Sequence, residues 1–125
     1  MTVVHGDQLH DIETPGGNAG AGMATPSRGA TEVSVIRQRQ GPGGINPPHT
    51  HDREEVMVLL AGTVTLTVEE EPVALRPGDA AIVPPGTSHK VETTGSEPAQ
   101  WLIVAPVGVR YFHAGGEEGF PPWSR

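Results

Sequence analysis

The chain contains no cysteine, so neither a disulfide nor a thiolate metal site is available to it. Any transition-metal ligand must then be nitrogen or oxygen, a methionine sulfur apart. Lysine is nearly absent as well, Lys90 being the single example, and the formal net charge is −7. Phosphate contacts need clustered Lys and Arg, which argues against a nucleic-acid partner. No apolar run approaches membrane-spanning length, and no basic segment leads into an apolar one near Met1. The expectation is a cytoplasmic protein without a membrane partner. Aromatic residues are few, and all but Trp101 fall in the final stretch: Tyr111, Phe112, Phe120 and Trp123.

Glycine and proline are plentiful, 17 and 13 in 125 residues. They mostly punctuate short runs rich in Val, Ile, Leu and Thr, the pattern of turns between strands. At this length the chain forms one domain. No window carries a 3.6-residue apolar period. Thr31–Gln40, Glu54–Ala61, Thr63–Glu69, Pro72–Leu75, Ala80–Val83, His89–Thr93 and Gln100–Val104 read as strands. Ala61-Gly62 reads as a hairpin between the second and third of these. The expected fold class is all-β, a barrel or two-sheet sandwich.

Residues 1–30 read as an N-terminal arm followed by a Gly-rich loop: 1–13 could pair as an edge strand, and 14–30 form a long loop. Residues 31–110 form the barrel. Residues 111–125 form an aromatic tail, expected to pack on the barrel or on a partner subunit, with a lid over a pocket as the alternative. Leaving a core-sized apolar side chain in water forgoes roughly 1.5–3 kcal/mol of burial, so the tail should dock.

Two stretches carry chemistry. His49 and His51 are two apart, so on a strand both imidazoles project from one face, and Pro47-Pro48 in front discourages helix. Glu55 shares their parity across a modest bend, whereas Glu54 opposes it and is assigned to solvent. His89 follows the Pro84-Pro85-Gly86 turn and can meet the first three across a barrel. His49, His51, Glu55 and His89 are therefore the candidate metal ligands, suited to iron, manganese, nickel, cobalt, copper or zinc as one divalent ion. His5, His10 and His113 are read as surface residues.

The two stretches resemble the paired motifs of the cupin superfamily. The first motif, G-x5-H-x-H-x3,4-E-x6-G, is matched by Gly43, His49, His51, Glu55 and Gly62. The second, G-x5-P-x-G-x2-H-x3-N, is matched by Gly78, Pro84, Gly86 and His89, with Thr93 in place of the terminal Asn. That Asn is not a ligand, so the departure leaves the metal site intact. The short intermotif stretch 63–77 is typical of compact single-domain cupins. The resemblance implies a double-stranded β-helix, or jelly-roll barrel, and a homodimer that exchanges N-terminal strands. It does not fix the reaction.

Strand parity places Met57 and Leu59 inward with Glu55, and Val91 and Thr93 inward with His89. Arg37 and Arg39 share one face of their strand and Gln38 and Gln40 the other; inward arginines would favour an anionic substrate. The functional expectation is a metal-dependent enzyme on a small organic molecule, with dioxygenase-like chemistry first and Glu55 as a possible catalytic base. Metal-assisted isomerisation or lyase chemistry is a further reading. A non-catalytic module that binds or senses a small ligand is the principal alternative from another class, and a storage cupin ranks last.

Overall fold

The computed structural model of the chain describes residues 1–124. Its strands are β1 (Ile12–Thr14), β2 (Asn18–Ala24), β3 (Val33–Gln40), β4 (Ile45–His51), β5 (Glu55–Ala61) and β6 (Val64–Val68). They continue with β7 (Glu71–Leu75), β8 (Ala80–Val83), β9 (His89–Thr93), β10 (Ala99–Pro106), β11 (Tyr111–His113) and β12 (Glu118–Gly119). Two six-stranded sheets result, in the orders β1-β2-β3-β10-β5-β8 and β12-β11-β4-β9-β6-β7. Every pairing is antiparallel. This is an all-β jelly roll: the spacing of turns and strands predicts the all-β class, and the cupin resemblance implies the jelly roll.

Alternation explains which side chains close the space between the sheets. In β6, Val64 and Leu66 are buried while Thr65 and Thr67 are half-buried. In β5, Met57 and Leu59 are buried on the face that carries Glu55. Trp101 on β10 stands opposite Leu59 and is 1% exposed. These residues, with Leu75, Val91 and Ala99, form one core cluster. Each such side chain contributes roughly 1.5–3 kcal/mol through burial. The cluster fills one end of the barrel and leaves the other for a cavity.

The structure corrects three expectations. The stretch 14–30 is not a long loop: β2 pairs with β3 from Asn18↔Gln40 to Ala24↔Val35, and β1 forms an edge beside it. Strand propensity is low in NAGAGMA, but the open edge of β3 supplies hydrogen-bond partners that override it. Ala61-Gly62 does not close a hairpin, because β5 and β6 lie in different sheets. Gly62 turns the corner between them with φ +78°, where a Cβ would come within 2.7 Å of Ala99 Cα and the Pro98 carbonyl oxygen. The hairpin falls instead at Glu69-Glu70, between the paired Val68 and Glu71. Both turn residues have positive φ, 49° and 70°. A two-residue turn of that hand matches strand twist, yet Asn-Gly is its usual sequence, so Glu-Glu gave no signal.

Arg37 and Arg39 provide the third correction. Trp101 pairs with Gln38 and Ala99 with Gln40, so the glutamines share the interior face of β3. The arginines take the opposite face, where both reach Asp11, at 3.1 and 3.4 Å. They are not part of the pocket wall. Of the aromatic tail, Trp123 packs on its own chain, whereas Phe120 is exposed. The Trp123 ring lies on β2, and a Cβ at Gly20 would come within 2.5 Å of it. The barrel thus accepts that indole because β2 lacks side chains at this position.

Candidate metal centre

Strand register assembles the histidines. His49 on β4 is paired with His89 on β9 and, on its other side, with His113 on β11. His51 is paired with Tyr111. Directly opposed residues share a face, so five rings from three strands project from the same side of this sheet. Pro47 and Pro48 cannot donate to the ladder, and the β4–β9 register shifts between Asn46 and His49. Glu55 enters from the facing sheet at the start of β5, while Glu54 is exposed.

His49, His51 and His89 each offer a ring nitrogen, and these atoms all lie within 4.8 Å of one another. Two of these rings are oriented by backbone. The Pro47 carbonyl accepts from His49 Nδ1 at 2.8 Å, and the Thr87 carbonyl accepts from His89 Nδ1 at 2.9 Å. Such bonds fix the tautomer and leave the Nε2 lone pair free. His89 Nε2 is buried without a hydrogen-bond partner, as is His51 Nδ1. Buried, unpaired imidazole nitrogens beside a carboxylate are what a divalent metal ion satisfies, so the donor set fits one.

Glu55 completes the electrostatics. Its carboxylate lies 2.9 Å from His51 Nε2, and 3.7 Å from His89 Nε2, a charge contact beyond hydrogen-bond range. Burial works to raise the Glu55 pKa, but the hydrogen bond to His51 and the nearby His89 outweigh it, and the pKa falls to about 2. Burial and the neighbouring His89 press the His49 pKa down to about 4, which keeps that ring neutral and able to ligate. For His89 burial also disfavours the charged ring, yet Glu55 and the Thr87 carbonyl prevail and its pKa is raised.

The histidines stand at one end of a cavity of about 430 Å³ between the sheets. Of the expected pocket residues, Met57 and Val91 line it. Leu59 and Thr93 face the same interior but sit deeper: Leu59 in the core cluster, Thr93 donating to Gln40 Oε1 at 2.6 Å. Several lining residues escaped the sequence reading. Tyr111 packs its ring 4.8 Å from that of His49 and 5.6 Å from that of His51. Burial, reinforced by Glu55, raises its phenol pKa. His113, though exposed, lines the cavity beside Tyr111, their centroids 5.1 Å apart. Gln38 accepts from Trp101 Nε1 at 2.7 Å. Only the pairing of β11 with β4 brings Tyr111 and His113 here, and no local motif marks it.

Comparison with known proteins agrees with this geometry. The chain is 37% identical over 83 residues to germin-like protein subfamily 2 member 1 of Arabidopsis thaliana, a match covering 62% of this chain and 38% of that one. The chain thus spans about two fifths of the length of the curated relatives it matches. Among solved structures, the polyketide cyclase RemF from Streptomyces resistomycificus superposes with a TM-score of 0.78 at 24% identity, covering 87% of this chain and 81% of that one. A sugar phosphate isomerase of the cupin superfamily from Silicibacter pomeroyi gives a TM-score of 0.72 at 20% identity, covering 89% and 80%. These two likenesses establish the fold. The family model described as Cupin domain matches residues 36–105, more than half the sequence and both motif stretches, and the chain belongs to the cupin superfamily.

Proposed function

We propose that this cupin is a metal-dependent enzyme acting on a small organic molecule bound between its sheets. The observation that carries the reading is the convergence of His49, His51 and His89, the last two with a buried unpaired nitrogen each, at the end of a mainly apolar cavity. These three imidazoles would hold a divalent ion, and Glu55 would supply the fourth donor. Bound there, iron, manganese, nickel, cobalt, copper or zinc supplies Lewis acidity toward a carbonyl or enol oxygen, and the redox-active ions also supply reactivity with O₂. Dioxygenase-like chemistry is the first reading of the reaction. In it the chain's own tasks are to orient the substrate, exclude water with the apolar wall, and take up a proton at the Glu55 carboxylate.

Metal-assisted isomerisation or lyase chemistry is the second reading, and one observation favours it. The Tyr111 phenol beside the histidines is held protonated, because burial raises its pKa, and its O–H is the one candidate acid partner for a non-oxidative reaction at the histidine end. Oxygen uptake with the iron- or nickel-loaded protein, against a panel of catechols, diketones and flavonols, separates the two. Turnover only in air supports the first; anaerobic turnover with zinc supports the second. Absence of turnover with every metal, while the same compounds raise Tm, replaces both with a ligand-binding module. The homodimer implied by the family belongs to this proposal, and light scattering on the purified protein tests it.

A further inference from the structure

The charge and shape of the cavity narrow the ligand. At about 430 Å³ it falls in the range that encloses drug-sized molecules. Met57, Leu66, Val91 and Ile103 line its depth, and Trp123 and Phe120 its outer end. Among the described residues no Lys or Arg lines it, and Glu55 is its only carboxylate. The arginines closest in sequence to its wall, Arg37 and Arg39, are held by Asp11 on the opposite face of β3. A divalent ion with Glu55 leaves one net positive charge, which a single enolate or phenolate neutralises. A dianion would bring in a further negative charge with no partner in the wall. Gln38 adds one polar contact to the wall: its oxygen accepts from Trp101 Nε1, and its amide nitrogen has no hydrogen bond among the described residues. That nitrogen can donate to a ligand carbonyl.

We propose, on the basis of the metal-site reading above, that this pocket takes an uncharged, ring-containing organic molecule with an enol, phenol or ketone oxygen at the histidine end, and rejects small polyanions. Aromatic rings at the outer end would stack on the Trp123 indole. The class follows from the wall rather than from the ion: the apolar lining contributes affinity with or without metal.

Isothermal titration calorimetry of zinc-loaded and metal-free protein tests this with three probes: 1-hydroxy-2-acetylnaphthalene, oxalate and glucose 6-phosphate. The naphthol ketone should bind the zinc form at least 100-fold more tightly than either anion. It should retain weaker binding, within about 10-fold to 30-fold, in the metal-free form. Ile103→Trp, which fills the cavity, should abolish binding; Val109→Trp, placed nearer the surface, should weaken it 10-fold or more and guards against misfolding of the first variant. Equal or tighter binding of oxalate or glucose 6-phosphate overturns the proposal. So does naphthol ketone binding that ignores both tryptophan variants, or no binding of it in either form. Failure to take up zinc, with variant-sensitive binding of the naphthol ketone preserved, removes the metal reading and upholds the ligand class.

Discussion

Thr93 donates to Gln40, whose amide nitrogen donates to Asn18 Oδ1 at 2.9 Å and to the Val91 carbonyl at 3.3 Å. Asn18 in turn donates to the Ile45 carbonyl at 2.8 Å. Gln40 is 1% exposed, so this chain of bonds ties the two sheets together in a low-dielectric setting. Thr93→Val removes one partner and leaves the Gln40 oxygen buried and unpaired. The expected loss is about 1–3 kcal/mol in urea unfolding, larger than for the half-buried Thr65→Val. At the centre itself, His51→Ala and His89→Ala should lower metal content sharply by elemental analysis, whereas His113→Ala should not. Tyr111→Phe should keep the metal yet slow any anaerobic reaction by about 100-fold, the scale of a lost proton donor.

The acid side of the stability profile also belongs to single residues. His49 has a folded pKa of about 4 against 6.5 for an ordinary histidine, so its contribution is complete above pH 6.5 and is lost as pH falls through 4. Glu55, near 2 against 4.5, contributes fully above pH 4.5 and loses that contribution as pH falls toward 2. His89, with its raised pKa, runs the other way, contributing below 6.5 and losing that as pH rises through its folded value. Comparing the metal-free protein with His49→Gln isolates the first effect. Between pH 7 and 4.5 the wild type should lose about 2 kcal/mol relative to the variant in urea titrations. A constant difference across that range would contradict the assignment of a buried, neutral ring.

Among elements, what the sequence disclosed depended on whether the controlling signal was local. The ligand strands were legible because Pro47-Pro48 and Pro84-Pro85-Gly86 set local geometry beside the histidines. β2 was not, because Gly and Ala carry no strand signal and the edge of β3 alone recruits them. The short β11 was hidden for the same reason, and with it the placing of Tyr111 and His113. The Glu69-Glu70 turn is a local conflict: two non-glycine residues at positive φ, in a run of three acidic side chains. Replacing them with Asn-Gly should raise stability by about 1 kcal/mol, seen as a higher urea midpoint with unchanged slope. Gly20→Leu tests the tail: displacing Trp123 should increase its exposure to acrylamide quenching while leaving the metal content intact.

For the molecule as a whole, one end of the barrel is close-packed and the other is hollow, and all three histidines of the centre lie on the second sheet. Two of them face each other across the β4–β9 seam, the very pairing that the two prolines interrupt. A strand slipped by a single residue presents its opposite face. Such a slip would turn His49 and His51 toward water together, with little change in backbone hydrogen bonding. A binding centre on this sheet therefore requires β4 and β9 to align in the observed register.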